Sequence, residues 1–97
     1  MNLDSVYVKT GNFVEKQIGD ELVLVPIVDH IAKMTEVFTL NEVAAFIWNR
    51  ISIDYSLAQI LEQLNSSFEV ESTKANEDLV RFVQEALIKN IIKPAEA

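Results

Sequence analysis

The chain has 97 residues, an apolar fraction of 49% and only two Gly and two Pro, which suits one small domain with a real core over residues 1–97 and excludes a disordered or repetitive segment. Cysteine is absent, excluding disulfides, thiolate metal sites and thiol nucleophiles; no apolar run reaches the roughly 18 residues of a membrane span, and the opening Met1-Asn2-Leu3-Asp4-Ser5 has no basic-then-apolar signal, so a soluble cytoplasmic protein with no membrane partner is expected. A net charge of −7, from 15 acidic and 8 basic residues, opposes nucleic-acid binding, where phosphate neutralisation dominates affinity, but suits a basic peptide or protein partner or solubility alone.

In chain order, Ser5 to Lys9 alternates weakly as a strand. Phe13–Ile18 and Glu21–Ile27 flank Gly19-Asp20, a hairpin signal. Pro26 lacks an N–H, so a strand end or a free edge is expected there. Residues 28–33 read as a connector. Met34–Leu40 reads as the third strand, with Phe38 and Leu40 on one face and Val37 on the other. Short connections favour a three-stranded antiparallel meander.

At residue 41 the period becomes helical. The first helix, about 41–51, is apolar on nearly every side (Val43, Ala44, Ala45, Phe46, Ile47, Trp48, Ile51), which predicts a central pillar buried all round. Asn41 or Thr39 can cap it. The second helix opens on the capping-box pattern Ser56-x-x-Gln59 and carries Leu57, Ile60, Leu61 and Leu64 at i, i+3, i+4, i+7. A short polar-flanked stretch, Ser66 to Thr73, follows with Phe68 and Val70. The third helix is predicted over about 75–89, with Glu77 and Asp78 in its first turn and Lys89 in its last, matching the helix dipole. Ile91-Ile92 packs back on the core, which is expected to hold Phe46, Ile47, Trp48, Leu61, Leu64 and Leu87. In the third helix Leu79, Val80, Phe82, Val83, Ala86, Leu87 and Ile91 spread over about half the circumference, wider than one packing face requires. The surplus flank serves either the core or a partner.

The chemistry of a catalyst is missing. The sole histidine, His30, lies beside Asp29 in a polar connector, where no Ser–His–acid pattern can be built. No acidic pair has metal-ligand spacing with His support, and Glu69 and Glu71 read as solvated. No glycine-rich loop precedes a helix to cradle phosphate. These observations argue against an enzyme and against a metal or cofactor.

The order Leu40-Asn41, Ala44-Ala45-x-Ile47-Trp48, Ile60 with Leu64, Asp78-Leu79-x-x-Phe82-x-x-x-x-Leu87 and Ile91-Ile92 resembles the PqqD family, named for coenzyme pyrroloquinoline quinone synthesis protein D, over about residues 6–93. Two departures are Ser52-Ile53-Asp54, where many members have Asp-Gly, and Asn90, where many have Gly; Asn also tolerates a left-handed C-cap. The resemblance implies an α+β fold, a three-stranded antiparallel sheet followed by three helices, the last two arranged like a winged helix-turn-helix. It implies a non-catalytic peptide chaperone that binds the leader of a ribosomally made precursor peptide and presents it to a modifying enzyme, often a radical S-adenosylmethionine enzyme, as a monomer or weak dimer. The leader is expected to add as a strand along the third strand, with Thr35, Glu36, Val37 and Phe38 giving the backbone ladder and Asp78, Phe82, Val83 and Glu85 among the groove residues. Strand addition draws affinity from backbone hydrogen bonds and specificity from pockets for alternate side chains. The acidic Glu36, Asp78 and Glu85 suit a leader bearing Lys or Arg.

Two alternatives compete. A winged-helix DNA-binding regulator needs a basic recognition helix, but the second helix has no Lys or Arg, and the third sets Arg81 and Lys89 against Glu77, Asp78 and Glu85. A non-catalytic scaffold or oligomerisation subunit would pair the third strand with its own copy.

Overall fold

The computed structural model describes residues 2–68 and 71–95. The elements run β1 (Tyr7–Lys9), β2 (Phe13–Ile18), β3 (Glu21–Val28), β4 (Ile31–Ala32), a 3-10 turn at Met34–Glu36, β5 (Phe38–Leu40), α1 (Glu42–Arg50), α2 (Leu57–Ser67), α3 (Ser72–Ile88) and β6 (Ile92–Pro94). The architecture is α+β with antiparallel sheets. The strand count corrects the expected three-stranded sheet. β3 is the centre of a four-stranded sheet, with β2 on one edge and both β4 and β5 on the other, while β1 and β6 form a separate two-stranded sheet.

The difference has a physical origin at Pro26, which lies inside β3 and is buried rather than at a strand end or a free edge. Its carbonyl accepts the Lys33 N–H at 2.8 Å, but it has no N–H to return. The segment opposite it is therefore free to leave the ladder. The chain from Lys33 to Val37 loops out there as the 3-10 turn, so the expected strand Met34–Leu40 splits, and only Phe38–Leu40 is β. The connector read over residues 28–33 is a tight hairpin. Asp29 and His30 both take positive φ, 52° and 66°, and Val28 pairs with Ile31, the backbone of a type I′ turn.

The helices follow their local signals. Asn41 is the α1 N-cap, its side chain accepting the Ala44 N–H at 2.8 Å; Thr39 belongs to β5. Both halves of the Ser56–Gln59 capping box form on α2. α3 begins a turn earlier than expected, at Ser72, so Glu77 and Asp78 stand beyond its first turn and lose the dipole role assigned to them. It ends at Asn90, where φ is 59°. The Asn90 N–H bonds to the Leu87 carbonyl and that of Ile91 to Ala86, each at 3.1 Å, a Schellman cap. Glu69 and Val70 lie outside the described residues.

The core lies between the helices and one face of the sheet. Leu22, Leu24, Phe38 and Leu40 meet Ile47, Trp48, Leu57, Ile60, Leu64, Leu79, Phe82, Val83, Ile91 and Ile92. Phe46, Leu61 and Leu87, expected in the core, are half-buried at its edge. Trp48 is fully buried and its polar end is satisfied, Nε1 donating to Glu15 Oε1. Lys9 Nζ sits 4.3 Å from its ring centroid. Burial lowers the Lys9 pKa from 10.5, with a smaller opposing pull from Glu15. α1 is not buried all round: Val43, Ala44, Ala45 and Phe46 are half-buried, and only Ile47 and Trp48 within it are enclosed. Its two flanks instead wall two surface hollows. Among the described residues no helix is long and apolar enough to cross a membrane.

Candidate functional site

One hollow, of about 160 Å³, lies between β5, the start of α1 and one flank of α3. Its wall on the sheet side is a strand edge, and the ladder shows which groups that edge offers. On β3 the Pro26 carbonyl faces the β4–β5 side, accepting from Lys33, while the Ile27 N–H faces β2, donating to the Asn12 carbonyl. Even-numbered residues of β3 thus direct their backbone groups toward β5 and odd ones toward β2. Leu24 pairs with Phe38 and Leu22 with Leu40, and in an antiparallel ladder such pairs exchange both bonds. Thr39, between them, turns its N–H and C=O to the open side, where among the described residues no strand pairs with it.

The α3 side of the hollow is Asp78, Arg81, Phe82 and Glu85, an i, i+3, i+4, i+7 stripe. Phe82 is held by aromatic contacts, its centroid 5.7 Å from that of Phe38 and 6.4 Å from that of Trp48. The floor is apolar, from Phe38, Leu40, Val43, Ala44 and Ile47. The lip is charged. Asp78 bonds Lys74 Nζ at 3.0 Å and lies 4.0 Å from Arg81, so much of its charge is met within α3. Glu85 has no ion-pair partner among the described residues and is the carboxylate here most available to a cation.

The sequence-predicted residues divide. Phe38, Asp78, Phe82 and Glu85 converge on this hollow. Val83 does not; it is fully buried on the core side of α3, because the wide apolar stripe does not reveal which flank is surplus. Thr35 and Glu36 lie in the 3-10 turn and not in a strand, so neither supplies an extended ladder in this conformation; Val37 follows the turn and is exposed. Sequence reasoning missed Thr39, Asn41, Val43, Ala44 and Arg81. The signal for Arg81 was present in the helical spacing around Phe82. The others sit at the strand-to-helix junction, where the sequence marks Thr39 as strand or cap, Asn41 as cap, and Val43 and Ala44 as buried pillar.

On the other flank of α1 lies a wider hollow of about 550 Å³, among Glu15, Asp20, Leu22, Glu42, Phe46, Arg50 and Phe68. It is the larger of the two and borders β2, the opposite edge strand, through Glu15 and Gln17, but its mouth is dominated by charged and polar side chains and it abuts Phe68, the last residue described before Glu69. The smaller groove, with an unpaired backbone edge facing an aromatic helix flank, is the stronger candidate. Among the described residues no group of His, Cys, Asp and Glu is placed to hold a metal ion. His30 is exposed in its turn.

Similar proteins share this fold. A structure of TbiB1 in complex with the TbiA(beta) leader peptide superposes with a TM-score of 0.70 at 19% identity, covering 93% of this chain and 99% of that one. A lasso peptide synthetase B1 complexed with the leader peptide gives a TM-score of 0.70 at 26% identity, covering 91% of this chain and 98% of the other. No curated protein sequence matches. The family of coenzyme PQQ synthesis protein D (PqqD) matches residues 21–92, from the first residue of β3 through α3 to the start of β6, and the chain belongs to that family.

Proposed function

We propose that the chain is a peptide adaptor: it binds the leader of a ribosomally made precursor as an added strand on β5 and presents it to a modifying enzyme. The observation that carries this reading is the outward N–H and C=O of Thr39 facing the Phe82 flank of α3 across an apolar floor. An extended peptide laid there pairs with Thr39 and drops alternate side chains between β5 and α3. The two similar structures are of proteins in complex with leader peptides, which supports a leader peptide as the ligand. Phe38, Ala44 and Phe82 receive an apolar leader side chain, and Glu85 faces a Lys or Arg of the leader. Thr35, Glu36 and Val37 flank the entry to the ladder, while Val83 acts only by packing.

The adaptor works without catalysis, since its groove holds no nucleophile–base pair. A radical S-adenosylmethionine enzyme is one partner class that would receive the peptide. We also read α2 and α3 as the helix pair of a winged helix-turn-helix plan. That pair lacks the basic recognition surface DNA requires, since α2 carries no Lys or Arg and the Lys74 and Arg81 of α3 flank Asp78. A titration of the labelled protein with the leader encoded by a neighbouring gene tests the reading through backbone amide shifts. Shifts concentrated at Phe38–Leu40 and along Asp78–Glu85 are expected. Shifts confined to β1, or to the α1–α2 connection, refute it.

A further inference from the structure

β3 reads Glu-Leu-Val-Leu-Val-Pro-Ile-Val and is buried from Leu22 through Pro26 without a break. An antiparallel strand with one face in water alternates apolar and polar; a continuous apolar run belongs to a strand covered on both faces. Among the described residues only one face joins the common core. Leu22 and Leu24 enter the common core, whereas Val23 and Val25, also buried, take no part in it. They lie on the outer face. Beside them on that face are Val14, paired with Val25, Lys16, paired with Val23, Ile18 beyond, and Thr39 on β5. Val14 and Ile18 are 48% and 54% exposed while Val23 and Val25 are 8% exposed. The result is an apolar ridge along the sheet, its centre shielded by neighbouring side chains, on which no α-helix of the common core packs among the described residues. Carboxylates rim the sheet: Asp20 and Glu21 at one hairpin end, Asp29 at the other and Glu36 on the 3-10 turn, all exposed.

We propose that this outer face docks the modifying enzyme, through an apolar patch on the enzyme rimmed by basic residues. The charge distribution selects that occupant over a second copy. Two chains of −7 each would bring acidic rim against acidic rim, whereas a basic-rimmed partner gains both attraction on approach and apolar burial at the centre. The face meets the leader groove only at Thr39: its centre, Val14, Lys16, Val23 and Val25, lies across β3 from the groove, and β5 sends Phe38 and Leu40 to the opposite side, into the core and groove. One protein can therefore hold leader and enzyme together. The identity of the partner as a modifying enzyme rests on the adaptor reading above.

The test uses the full chain, the purified modifying enzyme encoded beside its gene, and the leader peptide as a separate titrant. Val14→Lys and Ile18→Asp each change an exposed side chain away from the groove. Each is expected to weaken enzyme binding about tenfold while the leader Kd stays within about twofold of wild type, which also verifies the fold. For the wild type, raised salt is expected to lower enzyme affinity. Enzyme affinity untouched by both variants, or no enzyme binding by wild type, overturns the proposal even where the leader binds. A wild-type dimer that Ile18→Asp converts to monomer assigns the face to a second copy and overturns it as well. Leader binding that fails while the enzyme still discriminates the variants removes the adaptor reading instead and leaves the docking face standing.

Discussion

Proline scanning of β5 separates the two edges of that strand. Thr39 directs its N–H outward, so Thr39→Pro leaves the β3–β5 ladder intact and removes only the donor offered to an incoming strand. Proline is tolerated on an edge strand with its missing N–H toward solvent. The lost bond is worth about 0.5–1.5 kcal/mol, or about a two- to twelvefold rise in leader Kd, with the pyrrolidine ring adding to this by occupying space on the open side. Phe38→Pro is the opposite case. Its N–H faces Leu24, and its ring is buried against Phe82 at 5.7 Å. It therefore loses a ladder bond and a core aromatic, about 3–5 kcal/mol for the ring alone, a large share of the roughly 5–15 kcal/mol of a small domain. Phe38→Ala serves as the reference that isolates the backbone part. Urea denaturation and calorimetric titration with the leader give both readouts on the same samples. Thr39→Pro that unfolds like Phe38→Pro, or that binds the leader as wild type does, refutes the assignment of edges.

The other expected outcomes concern stability and charge. Trp48→Ala should cost about 3–5 kcal/mol, since the indole is fully buried and its N–H bonds Glu15; a loss under about 1 kcal/mol in chemical denaturation contradicts that packing. Glu85→Gln should weaken a Lys- or Arg-bearing leader by about 0.2–1 kcal/mol, the range of an exposed pair, and flatten the salt dependence of its binding; an unchanged salt slope shows that Glu85 meets no cation. Burial depresses the pKa of Lys9, so between its folded value and 10.5 the unfolded chain binds more protons, and stability gains from this group as pH rises through that window. Lys9→Met should therefore melt higher than wild type at pH 7, with the difference narrowing toward pH 10.5. A difference that widens with pH contradicts the sign.

The features legible in the sequence were the local ones. Asn41, the Ser56–Gln59 box and the Asn90 terminator each act through backbone groups within a few residues, so the sequence contains both partners of every bond. The Gly19-Asp20 hairpin is legible for the same reason. The third strand was misread because its fate is decided by Pro26, several residues upstream and across a ladder, and nothing within Met34–Leu40 records that missing donor. The site followed suit. Phe82, Asp78 and Glu85 emerge from helical spacing alone, but Val83 falls within the same stripe, and only the packing of β5 and α1 against α3 assigns it to the core. Ala44 and Val43 were invisible as groove residues because an all-apolar helix gives no cue as to which flank remains open.

The shortness of β5 then bears on how a peptide would be recognised. The strand has three residues, bounded by the 3-10 turn on one side and the Asn41 cap on the other, which protects an exposed edge from indiscriminate pairing. It also limits what backbone pairing can contribute. Thr39 alone within it presents an outward N–H and C=O, so the ladder supplies about two bonds of roughly 0.5–1.5 kcal/mol each. Micromolar affinity needs about 8 kcal/mol. On the adaptor reading the balance has to come from side chains seated over Phe38, Ala44, Ile47 and Phe82, where a fully buried Leu or Phe contributes about 1.5–3 kcal/mol, with longer-range pairing at Glu85 added. On that reading leader choice is governed by the shape and chemistry of the α1 and α3 walls, and the strand edge sets direction and register. Of the wide apolar stripe of α3 only Phe82 reaches this groove, and there it faces the incompletely buried flank of α1, so each helix contributes one wall.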